Sequence, residues 1–208
     1  EETVISQENK KEPVKDTSIV YISNCFVGSD MTAHAFDSLV EKVNEKKPDV
    51  ILFGGNLFGR HTKEVTVDKT LASIKKMKAA LGIYMVEGSA DSVLVEEKKE
   101  KISGAGVHLL LDESAVLHNG LQLVGCRADG KTKKPMSYTL SLINKEKPSI
   151  VLAGEAMEEK RKEEKKISLV LYPKKITDTG NGGTSGVNQM FPRNVLASAK
   201  INFMKIKK

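Results

Sequence analysis

Ser18–Ser23 reads SIVYIS, Val50–Phe53 reads VILF and Gly82–Gly88 reads GIYMVEG. Each is a continuous apolar, β-rich run, the pattern of a strand covered on both faces. Between the runs the apolar period changes. Phe36, Leu39, Val40 and Val43 fall at i, i+3, i+4 and i+7, one face of a helix, and Val67, Leu71, Ile74, Met77 and Leu81 mark a second helix. This repeated exchange of buried strand for amphipathic helix constrains the chain most, because it calls for an α/β layering with helices against sheets. A length of 208 residues is enough for one domain with a sizeable core.

The middle of the chain departs from the alternation. After a helix in DSVLVEEKKEKISGAG come VHLLLD, SAVLHN and LQLVGC, three short strands in a row, with Asn119-Gly120 as a hairpin turn signal. A helix over Ser137–Asn144, a strand in SIVLAG (Ser149–Gly154), a charged helix over Glu158–Lys166 and a strand in ISLVLY (Ile167–Tyr172) follow. ITDTGNGGTSG is a Gly-rich loop, and SAKINFMKIK (Ser198–Lys207) alternates as a last strand. Alternating βα units plus consecutive strands predict two sheets with flanking helices. GNGGTSG (Gly180–Gly186) has the backbone for an anion cradle, but without the Lys-Ser/Thr ending of a phosphate-binding loop it reads as a loop.

Charge narrows the function classes. The net charge is +6, with 33 basic residues against 27 acidic ones, and the two signs interleave in EEKKEK and EEKRKEEKK. Interleaving describes a solvated helix face, not the one-sided patch of a nucleic-acid reader, so no specific nucleic-acid binding is expected. Cys25 and Cys126 belong to no CxxC motif and are expected as small buried hydrophobes. Glu1–Asp16 is polar and aperiodic. It is expected to be a flexible leader over residues 1–16, ahead of a domain over 17–208. A chain that opens on Glu with such a leader leans toward an extracytoplasmic or membrane-tethered setting, with membrane contact only through an N-terminal anchor since removed.

In open α/β folds chemistry sits just past the carboxyl ends of the strands. Five such ends line up here: ISNCFVGSD, LFGGNLFGR, MVEGSADSV, VLAGEAMEE and LVLYPKKIT. In order and spacing they resemble the calcineurin-like metallophosphoesterases, which carry D-x-H, G-D, G-N-H-D, a lone H and G-H-x-H at successive strand ends. The resemblance runs from about Ser18 to Lys207. It implies an α/β fold, a four-layer αββα sandwich with two central mixed β-sheets. It also implies two divalent metals about 3.5–4 Å apart that activate a bridging water for attack on a phosphoester.

The residues at those positions change the expectation. D-x-H falls on Asn24 and Phe26, and G-D falls on Asn56. G-N-H-D falls on Gly88, Ser89, Ala90 and Asp91, so the metal-binding Asn is Ser and the catalytic His is Ala. The lone H falls on Gly154, beside Glu155, and G-H-x-H falls on Pro173, Lys174, Lys175 and Ile176. His34, His61, His108 and His118 occupy none of these positions. An amide is a weak neutral ligand and a phenyl ring is none. The expectation is therefore a metallophosphoesterase-like pseudoenzyme without a metal cofactor, a binding or scaffold module. Its vacated pocket would hold a protein partner or a small ligand against Cys25, Phe26, Phe58 and Met157, with Asn56 and Ala90 beside them. The alternative is a phosphoesterase with an atypical or single-metal site, binding Mn or another divalent cation through Asn24, Asn56, Asp91 and Glu155.

Overall fold

In a computed structural model, the structure describes residues 3–5, 14–128, 134–155, 169–171 and 200–206. In chain order the elements are β1 (Thr3–Ile5), β2 (Thr17–Ser23), α1 (Ala33–Glu45), β3 (Val50–Gly54), α2 (Glu64–Ile74), β4 (Ile83–Val86) and α3 (Ser92–Ser103). The second half adds β5 (Val107–Leu109), β6 (Ser114–Val116), β7 (Gln122–Cys126), α4 (Met136–Ser141), β8 (Ser149–Ala153), β9 (Leu169–Leu171) and β10 (Lys200–Ile206). The charged helix expected over Glu158–Lys166 and the GNGGTSG loop lie outside the described residues.

Two mixed sheets form. One runs β1-β10-β2-β3-β4-β5 and the other β6-β7-β8-β9. β2, β3, β4 and β5 pair in parallel, and β10 closes against β2 in antiparallel register from Lys200↔Ser23 to Ile206↔Thr17. Three apolar clusters mark the interfaces of an αββα sandwich. Phe36, Leu39, Val67, Leu71 and Val95 pack on Val20, Ile22, Ile51 and Phe53, which puts helices on the outer face of the larger sheet. Ile19, Tyr21, Leu52 and Val86 meet Leu121, Leu123, Ile150 and Leu152 between the sheets. Leu140 and Ile143 pack on Val124, Cys126 and Val151 on the far face. Strands with one face in each interface have no polar face to show, which is why the sequence runs are continuous rather than alternating.

The structure corrects two expectations and settles a third point. The leader is not wholly outside the fold: Thr3–Ile5, three β-branched residues, pairs in parallel with β10, and Val14 is buried between the sheets. The three consecutive strands, whose sheet the sequence left open, divide between the two sheets. β5 joins β4 in the larger sheet, while β6 and β7 form the antiparallel hairpin of the smaller one. The second helix stops at Ile74, so Met77 enters the core from the turn that follows it.

Candidate functional site

β2 and β3 remain partners past their ends. The Asn24 N–H donates to the Gly55 carbonyl over 3.1 Å, the Phe26 N–H to Asn56 over 2.9 Å and the Val27 N–H to Leu57 over 2.8 Å. The Gly59 N–H donates back to Val27 over 3.0 Å, and the Thr62 hydroxyl donates to the same carbonyl over 2.7 Å. The two connecting loops thus extend the sheet as a parallel ladder. Within it Asn24, Phe26 and Asn56 take left-handed backbone at φ 57°, 46° and 54°. Asparagine tolerates that region; for Phe26 the strain costs about 1–2 kcal/mol, held by the surrounding ladder.

The left-handed turns aim the two amides at each other. Asn56 Nδ2 donates to Asn24 Oδ1 over 2.9 Å, and Asn56 Oδ1 accepts the Ala90 N–H over 3.0 Å. One amide therefore ties the ends of β2 and β3 to the turn before α3. Behind it stands Asp91, fully buried. Its Oδ2 accepts the Leu57 and Phe58 N–H groups at 2.7 and 3.3 Å, and its Oδ1 accepts the Gly88 N–H at 2.8 Å. Burial pushes the Asp91 carboxyl up to about 6, against the opposing pull of those backbone donors. Burial, with Asp91 adding to it, pushes the Cys25 thiol up to about 12, so this cysteine is a neutral core group.

The strand ends also approach closely. A Cβ at Gly88 would stand 2.3 Å from Asn56 Oδ1, and one at Gly154 would stand 2.2 Å from the Glu87 carbonyl oxygen. Neighbouring atoms fill the space a side chain would need at both positions.

A second polar group lies at the ends of β4 and β7. Arg127 Nε donates to Glu87 Oε1 over 2.8 Å and its Nη2 to Glu87 Oε2 over 3.0 Å, a bidentate pair with Glu87 fully buried and Arg127 5% exposed. The same Nη2 reaches Glu96 of α3 at 2.8 Å. Asp112, at φ 59°, accepts the Arg127 N–H, the Lys134 N–H and the Thr139 hydroxyl. Burial raises the Glu87 carboxyl above its ordinary range, and the Arg127 guanidinium opposes that rise. Sequence reasoning missed this group. Its signal was there: charges at Glu87 and Arg127 abut runs of otherwise buried residues.

Of the residues singled out from sequence, the structure brings together Asn24, Asn56, Ala90 and Asp91. Phe26 and Ala90 are half-buried, and Ser89 and Glu155 are exposed. Cys25 and Phe58, expected on a binding surface, are not on the surface. Both are fully buried, because the extended ladder turns them into the core beneath the loops. Met157, Lys174 and Ile176 lie outside the described residues, as do Pro173 and Lys175. The four histidines are all exposed and none joins the cluster.

Among the described residues the donor set does not fit two divalent cations. Among the described residues no group of three or more His, Cys, Asp and Glu side chains is placed to hold one. The carboxylate of the cluster, Asp91, gives both oxygens to backbone N–H groups, and the Asn24 Oδ1 takes an amide donor. Dications need oxygen and nitrogen lone pairs turned toward them, and carboxylate charge to offset their own.

No protein-family model matches the chain. It is 25% identical over 189 residues to an uncharacterized metallophosphoesterase of Helicobacter pylori, a match that covers 88% of this chain and 48% of that protein. The chain thus spans about half the length of the curated relative it matches. Its fold is similar to the crystal structure of TT1561 of Thermus thermophilus, with a TM-score of 0.57 at 15% identity over 91% of this chain and 88% of that one. The chain is thus similar in sequence to a metallophosphoesterase over most of its own length, and its layered fold is shared with TT1561.

Proposed function

We propose that this chain is a non-catalytic metallophosphoesterase-like domain, a binding or scaffold module rather than a two-metal hydrolase. The observation that carries the reading is the Asn56 amide. Both of its polar atoms are used inside the protein, on Asn24 and on Ala90, where the resemblance calls for a bridging carboxylate. A carboxylate cluster built for dications repels itself when empty. Neutral amides joined by a hydrogen bond do not, so the strand ends hold their shape without a metal. With Cys25 and Phe58 buried, the described strand-end residues left at least partly open to a protein partner or small ligand are Phe26, Ser89, Ala90 and Glu155.

The test is a calorimetric titration of metal-free protein with Mn²⁺, run beside an assay of bis(p-nitrophenyl) phosphate hydrolysis, with an intact family member as control. The expected result is no heat and no hydrolysis from a folded protein. Stoichiometric Mn²⁺ binding at micromolar affinity with metal-dependent turnover would overturn the reading.

A further inference from the structure

We propose that Arg127 is a bolt between the two sheets, holding their carboxyl ends in a closed arrangement that leaves no room for a side chain at Gly154. Glu87 follows β4 of the larger sheet, Arg127 follows β7 of the smaller one, and Glu96 lies on α3. The guanidinium therefore joins three elements from three layers through its forked contacts to Glu87 and Glu96. Its own backbone is anchored, because its N–H donates to Asp112 over 3.1 Å. On the same side, the Gly154 N–H donates to the Cys126 carbonyl over 2.8 Å, which seats the end of β8 beside Arg127. There a Cβ at Gly154 would meet the Glu87 carbonyl at 2.2 Å and the Ala128 nitrogen at 2.6 Å. The residue whose side chain Arg127 clamps is thus the residue whose backbone excludes a side chain at position 154. Next to Glu87, the Gly88 N–H is fixed on Asp91 and leads into the turn that Asn56 holds.

Chemistry favours this role over an incidental pair. Other ion pairs among the described residues, such as Glu64 with Lys98 and Lys101, lie on half-exposed helix surfaces where water competes. A fully buried carboxylate is tolerated only with its partner in place, and the planar fork of arginine fixes both its distance and its angle. A lysine would supply charge without that geometry. The proposal does not depend on whether the protein binds metal, and a positive Mn²⁺ titration would leave it standing.

The experiment is a double-mutant cycle with Arg127→Met and Gly154→Ala, read by urea midpoint and by hydrogen exchange at the Gly88 amide. If Arg127 sets the close approach, Gly154→Ala lowers the midpoint strongly in the wild-type background and by less than half as much in the Arg127→Met background. Additive effects would overturn the proposal. Should Arg127→Met fail to fold, the cycle is run with Arg127→Lys. In that variant the Gly88 amide is expected to lose at least tenfold protection while the Leu39 amide of α1 keeps its own. Equal loss at both, or no loss at Gly88, would also overturn it.

Discussion

The carboxyl ends of the strands are closed in two different ways. On one side Asn24, Asn56 and the Ala90 N–H close β2, β3 and the turn before α3 with neutral groups. On the other, Glu87, Arg127 and Glu96 close β4, β7 and α3 with charges. Both answer the same demand, that buried polar groups find partners. They differ in what failure costs. A neutral amide that loses its partner leaves one unmet hydrogen bond, whereas a buried carboxylate that loses its guanidinium leaves an unpaired charge. The amide side is therefore expected to tolerate change, and the charged side is not.

The largest test of that contrast is Arg127→Met, which strands Glu87 in the interior. It should destabilise the protein by about 3–5 kcal/mol in urea unfolding. Adding Glu87→Leu should recover most of the loss, since two apolar residues remove the charge altogether. A single variant as stable as wild type would erase the difference between the two sides.

Asp91 comes next, because it belongs to the amide side yet carries a carboxyl. Its folded value of about 6 lies above the ordinary 3.8. The folded state therefore holds the proton more tightly than the unfolded one, and stability falls as pH rises from about 4 to about 6. At about 1.4 kcal/mol per pH unit the loss amounts to about 3 kcal/mol. Urea midpoints across pH 4–7 should show this slope in wild type and lack it in Asp91→Asn. Matching profiles for the two proteins would mean Asp91 is already ionised throughout, held by its backbone donors.

Asn56→Asp is smaller and sharper. The carboxylate would face Asn24 Oδ1 with no hydrogen to offer, which should cost about 1–2 kcal/mol. The same variant should still give no heat with Mn²⁺. A gain of micromolar Mn²⁺ binding from this one change would show that the ligand set lies one residue short of a metal site. At the small end, Lys101→Ala removes exposed pairs with Glu64 and Asp68 and should leave the unfolding midpoint where it is.

Much of the fold was legible because burial on both faces leaves a mark on composition. SIVYIS and VILF are β2 and β3 nearly to the residue, β4 is the centre of GIYMVEG, and the helix with Phe36, Leu39, Val40 and Val43 inward is α1. Other features had no such mark. Thr3–Ile5 is too short to stand out from a polar leader, and its strand exists only because β10 offers an edge. Nothing local in VHLLLD or SAVLHN says which sheet takes which strand. The positions of Asn24, Asn56 and Asp91 were readable from the order of strand ends, but their hydrogen bonds were not, since a motif position carries no statement about partners.

By itself, then, the sequence determined the layering, the strand ends and the residue types that stand there, because hydrophobic period and turn residues act locally. Only the tertiary structure decided that Cys25 and Phe58 turn inward, that Asn56 spends its amide on Asn24 and Ala90, and that Arg127 crosses from one sheet to the other. Those outcomes depend on segments 31 to 40 residues apart meeting at hydrogen-bond distance. Such meetings are fixed by the packing of the whole core rather than by any one stretch of chain.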